Sequence, residues 1–378
     1  MIIKKAEIKY IAYLLPFFLS QTVFVITNNA FSNLLLVFKL LVFIYFFIRY
    51  ILRGYISTFD ISIYSYFAIW FVSVIYNNAS LLDYIKEVVV ILTLVFIAED
   101  ARYNNFRTYL NALTMVIFWE FFVNLICAMI FPNGLWSTIS IYGSEATYMF
   151  LGLGNQITPM LLLAVITLLF QVSQRRIKFC VFYSIILLGN LIYMTSATAI
   201  VGVSIMIVTY LVSKITKFQR FNKVLLGAII LIGIGIVFFR VQYLFSFIIE
   251  NLLGKSLTLS NRTAIWDRAF SLILNSPMIG YGSGTLETVI GDRNAHCYFL
   301  QIIIQTGIIG LLCYIVIFYN ALKRCWQRIN TDSAKIITSC ICGYITCCIT
   351  EVYAQNYLIL LLCFAFLVDK MEKVIVST

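Results

Sequence analysis

The sequence predicts an all-α polytopic membrane protein of about twelve transmembrane helices, with one large extracytoplasmic loop that contains short helices. Three observations carry that prediction. Hydrophobic residues make up 62% of the 378 and charged residues only 11%, with a mean hydropathy of +0.96, a balance that a soluble domain of this size does not show. Apolar runs recur along the whole chain between short polar links. Basic residues collect in alternate links, as they do where those links stay in the cytoplasm.

Taken in order, runs near 10–27, 31–48, 61–77, 84–98, 108–131, 148–170, 179–195, 197–213 and 224–239 give nine spans, and runs near 297–319, 336–352 and 356–368 give three more. The first run follows Lys4, Lys5 and Lys9 as in a signal peptide, but it is long and lacks a small-residue cleavage site, so it reads as an uncleaved span. With the N-terminus inside, the inner segments carry those lysines, Arg49/Arg53, Arg102/Arg107, Arg175/Arg176/Lys178, Lys214/Lys217/Arg220/Lys223, Lys323/Arg324/Arg328/Lys335 and Lys370/Lys373, twenty of the 27 basic residues. Arg240, Lys255, Arg262, Arg268 and Arg293 face outward, and Lys39 and Lys86 lie within spans. Both termini are therefore expected in the cytoplasm, in a multi-pass membrane protein. The chain divides into helices at 1–239, the large outer loop at 240–296 and the last three helices at 297–378. One irregularity is expected inside a span: the run Gly152 to Pro159, GLGNQITP, should break or unwind the start of the sixth.

The net charge of +11 belongs to this topology and to anionic headgroups rather than to nucleic acid. Of the ten cysteines, all but Cys297 lie in or beside apolar runs, and no Cys-x-x-Cys pair occurs. A single histidine does not complete a Cys/His zinc set, so the cysteines read as small core hydrophobes, and no metal or other cofactor is expected.

The most polar long passage runs from Asn261 to Leu312. Asn261 can cap a helix in which Ile265, Ala269, Leu272 and Ile273 share one side and Arg262 and Trp266 another. Ser276 and Pro277 stop it. Gly280, Gly282 and Gly284 follow in a loop, and Asp292, Arg293 and His296, the only histidine, precede an apolar run from Tyr298 to Tyr319. His296 is thus placed at a membrane surface. The start of the outer loop, Val241 to Leu253, is apolar with Tyr243, Phe245 and Phe247, and is expected to lie in the interface as an amphipathic helix. Outward arginines oppose the charge rule and ask for another reason. Guanidinium forks match phosphate oxygens, while pairing of Arg268 with Asp267 or Glu287, and of Arg293 with Asp292, is the structural alternative.

The order of these residues resembles the O-antigen ligase and Wzy-type polysaccharide polymerase family. Its outer loop carries an Arg-x-x-x-Trp helix start, a Pro-x-x-Gly-x-Gly turn, then His-Asn before a Leu-Gln-x-x-x-Glu-x-Gly-x-x-Gly span. Here these read Arg262 and Trp266; Pro277, Gly280 and Gly282; His296; and Leu300, Gln301, Gly307 and Gly310. Cys297 and Gln305 stand where Asn and Glu are usual, and Ser196-Ala197-Thr198 stands where many relatives have Ser-Arg. One arginine at the pyrophosphate is therefore missing, with Arg240, Arg268 or Arg293 as replacements.

The resemblance implies a metal-independent glycosyltransferase that takes an undecaprenyl-diphosphate-linked oligosaccharide as donor at the outer face of the membrane. Such a transfer needs a base at the acceptor hydroxyl and a cation at the leaving diphosphate. His296 and Arg262 fit those roles, and no Asp-x-Asp metal motif occurs. Arg240, Arg268 and Arg293 are further candidates for substrate binding, with Trp266 as the foremost sugar contact and Tyr281 beside it. A repeat-unit polymerase for a capsular, O-antigen or exopolysaccharide is the primary expectation, with membrane lipid, a flippase and a chain-length regulator as partners. A ligase passing finished glycan to another acceptor and a lipid-linked oligosaccharide flippase or other transporter are the alternatives. The large polar outer loop speaks against a transporter, which concentrates charge in a central cavity.

Overall fold

The computed structural model of the chain describes residues 4–19, 22–139, 145–194, 196–216, 220–247, 251, 262–283 and 294–376. Among them it is an α-helical bundle with a single hairpin. In chain order the helices are α1 (Lys5–Phe18), α2 (Val23–Thr27), α3 (Asn29–Leu52), α4 (Thr58–Tyr76), α5 (Leu81–Tyr103), α6 (Phe106–Ile130), α7 (Gly154–Ser173), α8 (Ile177–Met194), α9 (Ala197–Ile215) and α10 (Phe221–Phe239). Then come α11 (Arg262–Asn275), α12 (Tyr298–Gln327), α13 (Asp332–Cys348), α14 (Gln355–Phe366) and α15 (Val368–Val376). Several start where the polar links supply a cap: Asn28, Ser57, Asn105, Ser196 and Thr331 each accept an amide of the following first turn, at α3, α4, α6, α9 and α13.

Among the described residues eight helices are long and apolar enough to cross a membrane: α3, α4, α6, α7, α8, α9, α10 and α12. The expectation of twelve is thus met by eight, and the four exceptions differ for physical reasons. The first expected span is divided between α1, of 14 residues, and the separate five-residue α2. Helix α5 is long but carries Asp83, Lys86, Glu87, Glu99, Asp100 and Arg102. Helices α13 and α14, of 17 and 12 residues, are short, and both lie in the centre of the bundle, where almost every residue from Ile336 to Cys348 and from Tyr357 to Val368 is buried. A helix that is buried all round is apolar on every side without facing lipid.

Small residues let the central helices approach. A Cβ on Gly343 of α13 would stand 2.5 Å from the carbonyl oxygen of Gly202 on α9, so the two backbones pack directly. The expected sixth span is non-helical at its start, residues 148–153, but from Gly154 α7 continues through Pro159 without a break, which costs the helix one amide donor in its second turn. The link after α6 is a two-stranded antiparallel hairpin, β1 (Trp136–Ile139) with β2 (Glu145–Tyr148), in which Trp136 pairs with Tyr148. After α10 the described chain forms a 3-10 helix at Val241–Phe245; the remainder of the expected amphipathic helix falls largely outside the described residues.

Several basic residues of the expected inner links are paired. Arg49 and Arg53 share Asp100, Lys214 meets Asp332 at 2.6 Å, and Arg328 meets Asp369.

Candidate active site

The site is built on a break in α12. At Gly307, φ 67° and ψ −174° interrupt the helix, a conformation essentially reserved for glycine. The Pro277–Gly282 turn fills the gap and satisfies the freed backbone groups. Tyr281 and Gly282 donate their amides to the carbonyls of Ile304 and Gln305 at 2.7 and 2.9 Å, and the amide of Ile308 donates to the carbonyl of Pro277 at 2.8 Å. Ser73 on α4 adds a hydroxyl donor to the Gln305 carbonyl at 2.8 Å, and the Asn77 amide group donates to the Gly280 carbonyl at 3.0 Å. Irregular backbone at membrane depth is tolerated where protein covers it, and the turn is that cover. Gly280 (φ 75°) allows the fit, because a Cβ there would stand 2.5 Å from the Ile304 carbonyl oxygen and 2.7 Å from the amide nitrogens of Thr306 and Gly307.

This joint fixes α11, which runs into the turn, against α12. Ile265, Trp266 and Ala269 form the buried face of α11, and Arg262 projects from its first turn. His296 lies immediately before α12 with a left-handed backbone (φ 45°). Its amide donates to the Asn294 side chain at 2.8 Å, and the Gln301 side chain accepts the amide of Ala295 at 3.0 Å, so the first turn of α12 grips the segment that presents the imidazole. The neighbouring Cys297, which leads into α12, is buried.

A residue that sequence reasoning missed joins the two expected catalytic side chains. Glu351, in the link between α13 and α14, pairs through Oε1 with Nη2 of Arg262, while its Oε2 stands 3.9 Å from Nδ1 of His296. The carboxylate is well enclosed, with a side-chain exposure of 8%, against 16% for Arg262 and 23% for His296. The link is held by the Glu351 amide on the Cys347 carbonyl at 3.0 Å and by Tyr353 packed edge-on against Tyr344. The sequence did hold a signal: a lone carboxylate sits at the end of an apolar run, on the same side as the polar loop. Placing the eleventh span at 336–352 absorbed it.

Arg240 ends α10 in a left-handed conformation and turns onto α11. Its Nη2 donates to the Thr263 carbonyl at 3.1 Å and pairs with Asp267, and its guanidinium lies 5.1 Å from the Trp266 ring centroid. Trp266 itself is fully buried, with this guanidinium over its face. Tyr281 donates its hydroxyl to the Leu272 carbonyl at 3.0 Å and so ties the turn to α11. Arg268 is exposed on α11, and its neighbour Asp267 is engaged by Arg240. Arg293, Asp292, Glu287, Gly284 and Asn261 lie outside the described residues. Arg262 and His296 therefore meet through Glu351, and Arg240 with Trp266 forms a second group one helical turn along α11. Among the described residues no group of three His, Cys, Asp or Glu side chains is placed to hold a metal ion.

The arrangement sets a guanidinium, able to take an anion by a bidentate fork, beside an imidazole whose Nδ1 faces a carboxylate.

No curated protein matches the chain. Residues 182–315 match the Wzy_C family, O-antigen ligase, a stretch that takes in Arg240, Arg262, Trp266, His296 and the broken half of α12 and ends before Glu351. The chain is thus a multi-pass membrane protein whose residues 182–315 are similar to the Wzy_C family, O-antigen ligase.

Proposed function

We propose that the protein is a polymerase that joins undecaprenyl-diphosphate-linked oligosaccharide repeat units into a surface polysaccharide at the outer face of the bacterial cytoplasmic membrane. Both termini are cytoplasmic in this reading, and residues 240–296 form the outer loop. The observation that supports it most is the grouping of Arg262 and His296, both inside the family-matched stretch, around Glu351. In the transfer, His296 takes the proton of the acceptor hydroxyl, whose oxygen attacks the anomeric carbon. The bond from that carbon to the diphosphate breaks, and Arg262 holds the departing anion. Arg240, Arg268 and Arg293 extend the cationic surface toward the diphosphate and glycan, with Trp266 supporting Arg240 from below and Tyr281 keeping the turn in register.

The test uses purified protein with lipid-diphosphate repeat units. Wild type should lengthen the glycan and release undecaprenyl diphosphate in step with each bond formed, with no loss of rate in a metal chelator, because arginine supplies the charge at the leaving group. His296→Ala should lose about 10²- to 10⁴-fold in rate, the usual cost of removing a general base. A ligase would deliver the glycan only to a different acceptor such as lipid A core. A flippase would move intact lipid-linked units and release no diphosphate carrier. Polymerisation at full rate in His296→Ala would remove the chemistry from this loop.

A further inference from the structure

One intramembrane cation has no part in the transfer described above. Lys39 lies near the middle of α3, ten residues in from Asn29 and so roughly 15 Å from the outer end of that helix at 1.5 Å per residue. It is half-buried and falls on the one buried stripe of α3, four residues after Leu35 and three before Val42. Among the described residues no carboxylate pairs with it, and its Nζ stands 6.0 Å from the ring centroid of Phe17 on α1. An ammonium at such a depth without an anion is costly, and such a group marks a place where a ligand supplies the partner. Just beyond Phe17 the first apolar run divides, with α1 ending at Phe18 and α2 starting at Val23. Beside that division is a cavity of about 520 Å³, whose lining includes Leu19, Thr22, Phe24, Asn28, Phe31 and Phe150. Phe24 and Phe31 are exposed, so the cavity is open at its rim. Side chains on a helix lean toward its N-terminus, and Lys39 therefore leans from below toward the end of α3 that lines this space.

We infer that Lys39 and this cavity hold the second substrate, with the lysine on the carrier diphosphate of the acceptor unit. The inference rests on the function proposed above and adds to it the place of the acceptor. Joining two lipid-linked units brings two diphosphates to the protein, and the chemistry sets them apart. In the donor the bond that breaks joins the anomeric carbon to the diphosphate, so that diphosphate must lie at Arg262. In the acceptor the corresponding carbon stays bonded to its own carrier. Its attacking hydroxyl therefore belongs to another part of the glycan, and its diphosphate lies away from the reacting centre. The lining of the cavity includes none of Arg262, His296 and Glu351, so a cation beneath it suits the acceptor and not the donor. Lysine offers a point charge with three rotatable donors, which is enough to hold a phosphate whose bonds do not change, whereas the leaving group calls for the fork of an arginine. With the diphosphate over Lys39, the prenyl chain runs along the exposed apolar side of α3, where Leu34 and Leu41 lie, and the sugars rise through the cavity past Phe31.

The experiment counts carriers and then separates the two substrates. Full-length protein in phosphatidylcholine nanodiscs is titrated with undecaprenyl diphosphate and read by native mass spectrometry. Wild type should take two carriers per chain, Arg262→Ala one, Lys39→Met one and the double variant none, and excess phosphatidylglycerol should displace neither. Turnover is read with a repeat unit methylated at its acceptor hydroxyl, which can only donate, and a second unit joined to its carrier through carbon, which can only accept. Lys39→Met should raise the KM for the acceptor at least about tenfold, the scale of one hydrogen bond to a charged group, with kcat and the KM for the capped donor as in wild type. Lys39→Arg, which keeps the charge, should restore the acceptor KM. Methionine matches the lysine stem and leaves no charge at that depth, so the variant should accumulate as wild type does. Two carriers still bound by Lys39→Met, an unchanged acceptor KM, an equal rise in the donor KM, or displacement of the carrier that remains in Arg262→Ala by phosphatidylglycerol would overturn the inference. Carrier counting needs no turnover. A wild type that binds two carriers but joins no units therefore refutes the function proposed above, while a polymerising wild type with an indifferent Lys39→Met refutes only the acceptor site.

Discussion

Gly280→Ala probes the joint on which the site rests. An added Cβ would stand 2.5 Å from the Ile304 carbonyl oxygen and 2.7 Å from two amide nitrogens, with φ at 75°, whereas ordinary contact begins at 3.4 Å. All three atoms are backbone, so no side chain can swing aside, and the turn must withdraw by roughly 0.9 Å. The left-handed conformation costs an L-residue about 1–2 kcal/mol. Withdrawal also stretches the bonds from the Tyr281 and Gly282 amides, 2.7 and 2.9 Å long, out of range, and each orphaned buried group costs about 1–3 kcal/mol. The sum is about 3–8 kcal/mol, most of the stability of an ordinary domain. Heated samples followed by size exclusion in detergent should show Gly280→Ala losing its monodisperse peak at a clearly lower temperature than wild type, with polymer yield reduced in step. Gly227→Ala on α10 is the control, because nothing lies within 4 Å of its added methyl. It should match or slightly exceed wild type. A Gly280→Ala protein as stable and active as the control would show that the turn and the helix break do not interlock in this way.

Arg262→Lys keeps the charge but not the fork, so it should lose most transfer activity while the protein accumulates normally, and activity equal to wild type would show that a point charge suffices. Cysteine labelling from the two sides of intact cells or vesicles should place Lys255 and Gly284 outside and Lys217 and Arg328 inside; cytoplasmic labelling at 284 would place the loop on the wrong side for the proposed reaction.

Hydropathy made the bundle legible because lipid-facing helices must be apolar over most of their length, as α3 and α10 are. Fewer helices than it counted are long and apolar enough to cross where protein replaces lipid as the surroundings. Helices α13 and α14 read as spans from their composition, yet they are short and central. The break at Gly307 was hidden for the same reason: the run from Tyr298 to Tyr319 is continuously apolar, and what opens it is a turn distant in sequence that supplies substitute hydrogen bonds. Local grammar found Arg262 and His296, since a helix start and a polar stretch before a span can both be read along the chain. Glu351 reaches them only through folding, from a link between the two most buried helices. Trp266 shows the opposite error. An aromatic beside arginines suggests a platform for sugar, but helical spacing also puts it with Ile265 and Ala269 on the buried face of α11, where Arg240 lies over its ring.

Each member of the Arg262–Glu351–His296 group is held by something other than the group itself. Arg262 starts a helix anchored by Ile265, Trp266 and Ala269. His296 hangs from a segment clamped by Gln301, and Glu351 rides on a link tied to Cys347 and pinned by Tyr353 against Tyr344. Removing the ion pair should therefore leave the three supports in place, which is what allows a substrate anion to compete for Arg262 without unfolding the site. A buried pair contributes little net stability against its desolvation cost, and preorganised supports let its partners be exchanged at small reorganisation cost. In the proposed reaction donor selectivity belongs to the exposed side of α11, where Arg268 lies, and the chemistry to the enclosed Arg262 and His296. Changes of sugar specificity should then accumulate on the former and leave Gly280, Gln301 and Gly307 untouched, because these hold the turn, the His296 segment and the helix break in place.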